Sequence, residues 1–279
     1  MDFKSLWSNL DWIILIVYFI GVLLVGVGMR RRAGKSVKSF MVASRKLTVP
    51  VLIGVAAAAW YDSWTIVGLA ECGWTMGICI IFIFVLPEAV LRLPLATIIG
   101  PHVRDGIPDW VVTVPDLIGY LYDRKVKLIA TITYLANILY DSALLIAVAD
   151  VLRLVTGMNM FITLIITGGI IAIYTALSGL WGLAVTDLIQ FAIMTISAGV
   201  LILGIIKLYG NFGEIINGIG KVNPNYATVF GGNSFWAVVA WIISAWAMYS
   251  SLQCYQRFSS ARSGADIKLA YSLMLSLGL

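Results

Sequence analysis

Long apolar runs separated by short, charge-rich breaks dominate this chain. A run of about 17–25 apolar residues is what a helix needs to cross the hydrocarbon of a bilayer. Read with that ruler, the sequence predicts seven spans, at 12–29, 49–70, 76–99, 128–154, 161–178, 183–208 and 235–255. An eighth is expected to begin near Ile267 and to be cut off at Leu279, so the chain is expected to be truncated. Two connections are long enough to hold structure of their own. In 100–127, Thr113-Val114-Pro115-Asp116 predicts the opening of a short helix, because Pro fits a first helical turn and Asp complements the helix dipole there. In 209–234, Phe212, Ile215, Ile216 and Ile219 recur at i, i+3, i+4 and i+7, the spacing of a short helix lying in the interface. Small residues at Gly21, Val25, Gly28, Gly168, Gly169 and 56–59 mark expected close helix contacts.

Polar positions inside the spans are few, so each needs a reason. Asp62 lies just past the middle of the second span, within Trp60-Tyr61-Asp62-Ser63; Glu88 lies near the middle of the third and Asp141 at the middle of the fourth. A carboxylate at that depth costs at least ~2.5–3.5 kcal/mol, which makes an ion or substrate pathway the default reading. Their common depth predicts a shared midplane cavity. The bland reading is packing: Glu88 has Arg92 one turn later, an i, i+4 pair that would neutralise it. Asp141 has Asn137 one turn earlier, which gives that helix a polar stripe. Ser63, Thr65 and Trp246 complete the cavity candidates. Asp187 sits about one turn inside the end of the sixth span, where a carboxylate could reach water unaided. From the residues alone, site and solvated face stand level there.

Composition excludes a soluble domain: 61% of residues are hydrophobic and only 12% charged, against about 45–50% and 25% in globular proteins. The net charge of +5 reports topology, not nucleic-acid binding. Arg30, Arg31, Arg32, Lys35, Lys38, Arg45 and Lys46 crowd the first loop, and Arg104, Arg124, Lys125, Lys127, Arg257 and Arg262 fall on the same side. The opposite loops hold only Lys4 and Lys221, so the basic side is expected to be cytoplasmic and the N-terminus outside. The first span has a basic C-terminal flank and no small-residue cleavage site, which argues against a signal peptide. Cys72, Cys79 and Cys254 are scattered and His102 is alone, so no metal or redox spacing appears. No phosphate loop and no nucleophile beside a base point to an enzyme or a cofactor.

The same residues resemble the sodium/solute symporter family, which includes sodium-coupled sugar, proline and pantothenate carriers. Ser39-Phe40-Met41-Val42-Ala43-Ser44-Arg45 is similar to the family's loop motif before its first core helix. Residues 56–68, AAAAWYDSWTIVG, resemble its broken first core helix, although no Gly or Pro interrupts 55–67. Residues 174–190, YTALSGLWGLAVTDLIQ, resemble its Tyr, Gly-Gly, Thr-Asp and Gln signature, and Gln256-Arg257 with Ala261 and Lys268 resembles the run after the seventh span.

The resemblance implies an all-α polytopic membrane protein with a LeuT-like inverted-repeat fold, incomplete here at seven full spans and part of an eighth. Residues 1–48 would form a peripheral first helix and basic loop, 49–208 the first five-helix repeat, and 209–279 an extracellular interfacial segment and the start of the second. It implies sodium held by backbone carbonyls of Ala58 and Tyr61, with Asp187 on the sodium exit path, and no other cofactor. The proline branch carries Asp where this chain has Trp60; the sugar branch has Gln at Thr65 and a gating Tyr at Ala247, so neither substrate carries over.

The expected function is sodium-coupled import of a small organic solute by alternating access across the cell membrane. Asp62, Glu88 and Asp141 at one depth favour a solute bearing a cationic group. The alternatives are a membrane sensor or input module of a signalling protein, and an inactive transporter fragment.

Overall fold

The computed structural model describes residues 7–59, 64–250 and 252–276, and every regular element among them is helical. Helix α1 (Asn9–Ala33) opens on a reciprocal cap between Ser8 and Asp11 and carries Arg30, Arg31 and Arg32 in its last turn, which complements its dipole. After α2 (Val37–Val42) the chain makes a left-handed turn through Ala43, Ser44 and Arg45, with φ of 47°, 54° and 56°. Helix α3 (Val49–Ala58) has Pro50 in its first turn. Residues 60–63 lie outside the described residues, and helical structure returns at Trp64–Gly68 and α4 (Leu69–Met76).

Gly77, at φ 73°, ends α4, so the third span begins later than its apolar run predicts. A single rod, Ile81–Asp105, contains α5 (Leu86–Pro94) and α6 (Gly100–Asp105) joined through π-type turns. Residues 100–105, expected in a loop, are therefore the end of a helix. The expected short helix is present as α7 (Val114–Leu121), capped by Thr113 and Asp116. Helix α8 (Arg124–Thr156) follows.

The fifth and sixth spans, expected at 161–178 and 183–208, are the two helical arms of α9 (Met160–Tyr209), which meet at a break at Gly179. Its 50 residues would reach about 75 Å if straight, more than twice the hydrocarbon thickness. Gly179, at φ 50° and ψ −149°, supplies the break, in a region that essentially only glycine occupies. The interfacial helix is also present as α10 (Phe212–Val222), with Ile215, Ile216 and Ile219 half-buried along one face and Phe212 exposed. The seventh span is α11 (Phe235–Ser244) and α12 (Leu252–Ser260), separated by a tighter 3₁₀ segment at Ala245–Ser250. Helix α13 (Gly264–Ser276) begins the eighth.

The main core lies toward the basic loops, where Leu52 and Val55 of α3, Leu95, Phe258, Ile267 and Met274 meet the start of the second arm of α9 at Leu180 and Ala184. A smaller cluster, Cys79, Ile80, Ile83 and Val238, joins the third and seventh spans. Elsewhere large apolar side chains such as Ile14, Val27, Leu139 and Leu203 stand more than half exposed. Water would not tolerate so continuous an apolar surface; hydrocarbon does.

Of the glycines expected at close helix contacts, only Gly168 meets a neighbour, with a built Cβ 3.3 Å from the Leu145 side chain; closer approaches fall at other glycines. A Cβ on Gly21 or Gly28 would meet nothing within 4 Å, whereas one on Gly26 would sit 3.1 Å from the Cβ of Tyr174. A Cβ on Gly54 would lie 2.9 Å from the Cα of Leu188. These two contacts press α1 and α3 onto α9.

Candidate functional site

The end of α3 is the first element of the site. Ala58 is its last residue, so within a continued helix its carbonyl would bond residue 62, which lies outside the described residues. The final carbonyls of a helix lack intrahelical partners and carry the negative end of its dipole, an arrangement suited to a cation. Tyr61, Asp62 and Ser63 likewise lie outside the described residues. Thr65 is half-buried in the helical segment that follows.

The other carboxylates are dispersed. Glu88 and Arg92, both mostly buried, form an i, i+4 ion pair at 3.4 Å. Their helix α5 packs on α13 and on the Ala245–Ser250 segment, which holds Trp246. Helix α8 instead packs on α7 and α9, and its Asn137 and Asp141 both lie exposed. Glu88 and Asp141 thus sit on helices with different main neighbours.

Asp187 is surrounded by polar groups from three elements. It is half-buried on the second arm of α9, within electrostatic reach of Tyr18 on α1, Tyr174 on the first arm and Arg257 on α12. The buried Thr186 beside it turns its hydroxyl back onto the carbonyls of Gly182 and Leu183 at 3.2 and 3.0 Å. One turn on, the Gln190 amide donates to the hydroxyl of Tyr18. The Gly54–Leu188 contact brings the α3 backbone against the residue next to Asp187. Sequence reasoning missed Tyr18. A phenol inside an apolar span, whose hydroxyl must find a partner, was the available signal.

A polar latch closes the basic side beneath the site. Arg45, buried, donates to Asp109 at 3.0 Å and to the carbonyls of Pro108 and Val111 at 3.4 and 2.9 Å. The hydrogen bond and charge of Lys38, then the charge of Arg45, hold the Asp109 carboxyl below the usual range. Gln256 donates to the Met41 carbonyl at 2.8 Å, and Leu47 exchanges backbone bonds with Ser260 and Arg262. The Trp181 indole donates to the Ser39 hydroxyl at 3.2 Å, with the Arg32 guanidinium 5.7 Å from its ring. Asp116 binds Lys127 at 2.6 Å and Thr113 at 2.7 Å; burial pushes its pKa up, but these bonds outweigh it and the net shift is down.

Among the described residues no group of His, Cys, Asp or Glu is assembled as a metal-binding cluster. A hard monovalent cation held by backbone carbonyls would need none.

Comparison with known proteins gives this arrangement a context. The chain is 21% identical over 266 residues to the osmoregulated proline transporter OpuE of Bacillus subtilis (strain 168), covering 93% of this chain and 54% of that protein. It is 25% identical to the human sodium/iodide cotransporter, covering 88% and 39%, and 23% identical to the Haemophilus influenzae sodium/pantothenate symporter, covering 76% and 46%. The chain thus spans about half or less of these relatives' length. No solved structure matches it. Those relatives are transporters, not enzymes, and the family model for the sodium:solute symporter family matches residues 40–275, so this chain belongs to the sodium:solute symporter family.

Proposed function

We propose that this chain forms part of a sodium-coupled symporter that imports a small organic solute across the cell membrane by alternating access. The observation that carries the reading is the placement of Asp187, in the motif Thr186-Asp187-x-x-Gln190, against the backbone of α3 through Gly54 and Leu188. In this reading sodium binds partly through the carbonyls of Ala58 and Tyr61, and Asp187 attracts it along its exit toward the basic side. The basic loops are cytoplasmic, the N-terminus is outside, and 49–208 is the first repeat of a LeuT-like core. The dipole end at Ala58 and the 3₁₀ interruption in the seventh span support that reading, because such folds place their sites at interrupted helices.

For the solute, the names of the relatives span proline, pantothenate and iodide, so family membership does not choose. Arg92 offsets Glu88 and Asp141 lies exposed on α8, which leaves Asp62 as the carboxylate that would favour a cationic group.

The test is Asp187→Asn in the full-length protein, reconstituted in liposomes with an imposed sodium gradient. The sodium concentration for half-maximal uptake should rise several-fold while apparent solute affinity at saturating sodium changes little. Unchanged sodium activation would sink the assignment of Asp187.

A further inference from the structure

We propose that Tyr18, on the first helix, is a positioning residue of the sodium exit path: its hydroxyl holds the Gln190 amide one turn beyond Asp187. The inference rests on the reading of Asp187 given above and assigns α1 a role beyond that of a peripheral helix. Three observations carry it. First, Gln190 donates its amide hydrogen to the Tyr18 hydroxyl across the α1–α9 interface. An amide and a phenol inside a span have no water to bind, so each fixes the rotamer of the other. Second, the register of that interface is set independently of the tyrosine. Val22, Gly26 and Ala33 are the buried face of α1, and Gly26 lets the Tyr174 backbone come close. Third, Asp187 is felt electrostatically by Tyr174 on its own helical run and by Tyr18 on α1, and itself feels the charge of Arg257 on α12.

The arrangement has a mechanical consequence. Gln190 and Asp187 are three residues apart and share a helix face. With Tyr18 in place the amide is drawn toward α1 and away from the carboxylate, whose oxygens stay open to a passing ion. Without the hydroxyl, the amide is free to turn and donate to Asp187, competing with sodium for the same oxygens.

The experiment compares Tyr18→Phe, Gln190→Leu, the double variant and Asp187→Asn in the full-length protein, reading uptake against sodium and against solute separately. Tyr18→Phe keeps the ring and its packing, and thermal stability in detergent should match the parent. It should raise the sodium requirement several-fold with solute affinity at saturating sodium unchanged. Gln190→Leu removes the competing amide, so the double variant should recover toward the sodium dependence of Gln190→Leu alone. If Asp187→Asn shifts sodium activation and Tyr18→Phe does not, the role of Tyr18 is wrong while the exit path stands. If the two single effects simply add, the hydroxyl does not act through Gln190. If Asp187→Asn also leaves sodium activation unchanged, the exit-path reading and this inference fall together.

Discussion

Gly179 is penalised twice by any side chain. Its φ of 50° with ψ of −149° lies where a Cβ is strained, and a Cβ built there would sit 2.5 Å from the Phe40 carbonyl oxygen. Gly179→Ala should therefore destabilise by more than the ~1–3 kcal/mol that so sparsely populated a backbone region alone costs a substituted residue. Gly169, in the same helical run with nothing within 4 Å of a built Cβ, is the control. Gly169→Ala should be neutral or stabilising by up to ~1 kcal/mol, since alanine is the better helix former. Thermal unfolding of the two purified variants decides this; equal midpoints would refute it. Arg45 is the other residue with much at stake. Arg45→Ala leaves the buried Val111 carbonyl without this donor, at roughly 1–3 kcal/mol for a buried acceptor orphaned, while the Pro108 carbonyl keeps the Val111 N–H. Arg45→Lys should recover only part of this, because an ammonium lacks the planar fork that reaches both carbonyls and Asp109. A lysine variant as stable as the parent would contradict the latch.

At the scale of elements, α7 offers a clean pH prediction. Asp116 caps it and anchors it to Lys127, and its carboxyl pKa lies below the ordinary 3.8. A depressed carboxylate contributes stability that is complete above 3.8 and is lost as pH falls through the folded value. Pepsin cleavage within 114–121 should therefore rise as pH is taken down through 3.8 and below. Asp116→Asn should be cut readily throughout that window, and cleavage of the parent that does not depend on pH there would exclude the mechanism. The left-handed turn at 43–45 belongs to the same scale. It is an unfavourable local conformation held by the Gln256–Met41 bond, the fork of Arg45 and the backbone pairing of Leu47 with 260–262. These bonds come from two distant parts of the chain, 108–111 and 256–262, and add to the local Ala43–Lys38 and Lys46–Ala43 backbone bonds.

At the scale of the whole molecule, topology is the open proposal, and labelling tests it. With Cys72, Cys79 and Cys254 replaced, single cysteines in Lys35→Cys and Lys125→Cys should resist an impermeant thiol reagent added outside intact cells and react once the membrane is permeabilised; both positions are exposed. Labelling from outside would reverse the orientation. Local chemistry determined much of this protein. Apolar run length made it a helical membrane protein, the Thr113–Asp116 box started α7, and the four-residue spacing of Glu88 and Arg92 made their ion pair. These depend on residues within a turn or two of one another, which the order of amino acids states directly. Tertiary structure decided the rest. Gly26, not Gly21 or Gly28, became the close contact because only packing reveals which stripe of α1 faces Tyr174. The break between the fifth and sixth spans falls at Gly179, where the Phe40 carbonyl lies too close for any Cβ. Tyr18 joined Gln190 across 172 positions of sequence. Contacts between distant segments depend on helix rotation and crossing, and no local pattern of hydrophobic and polar residues encodes either.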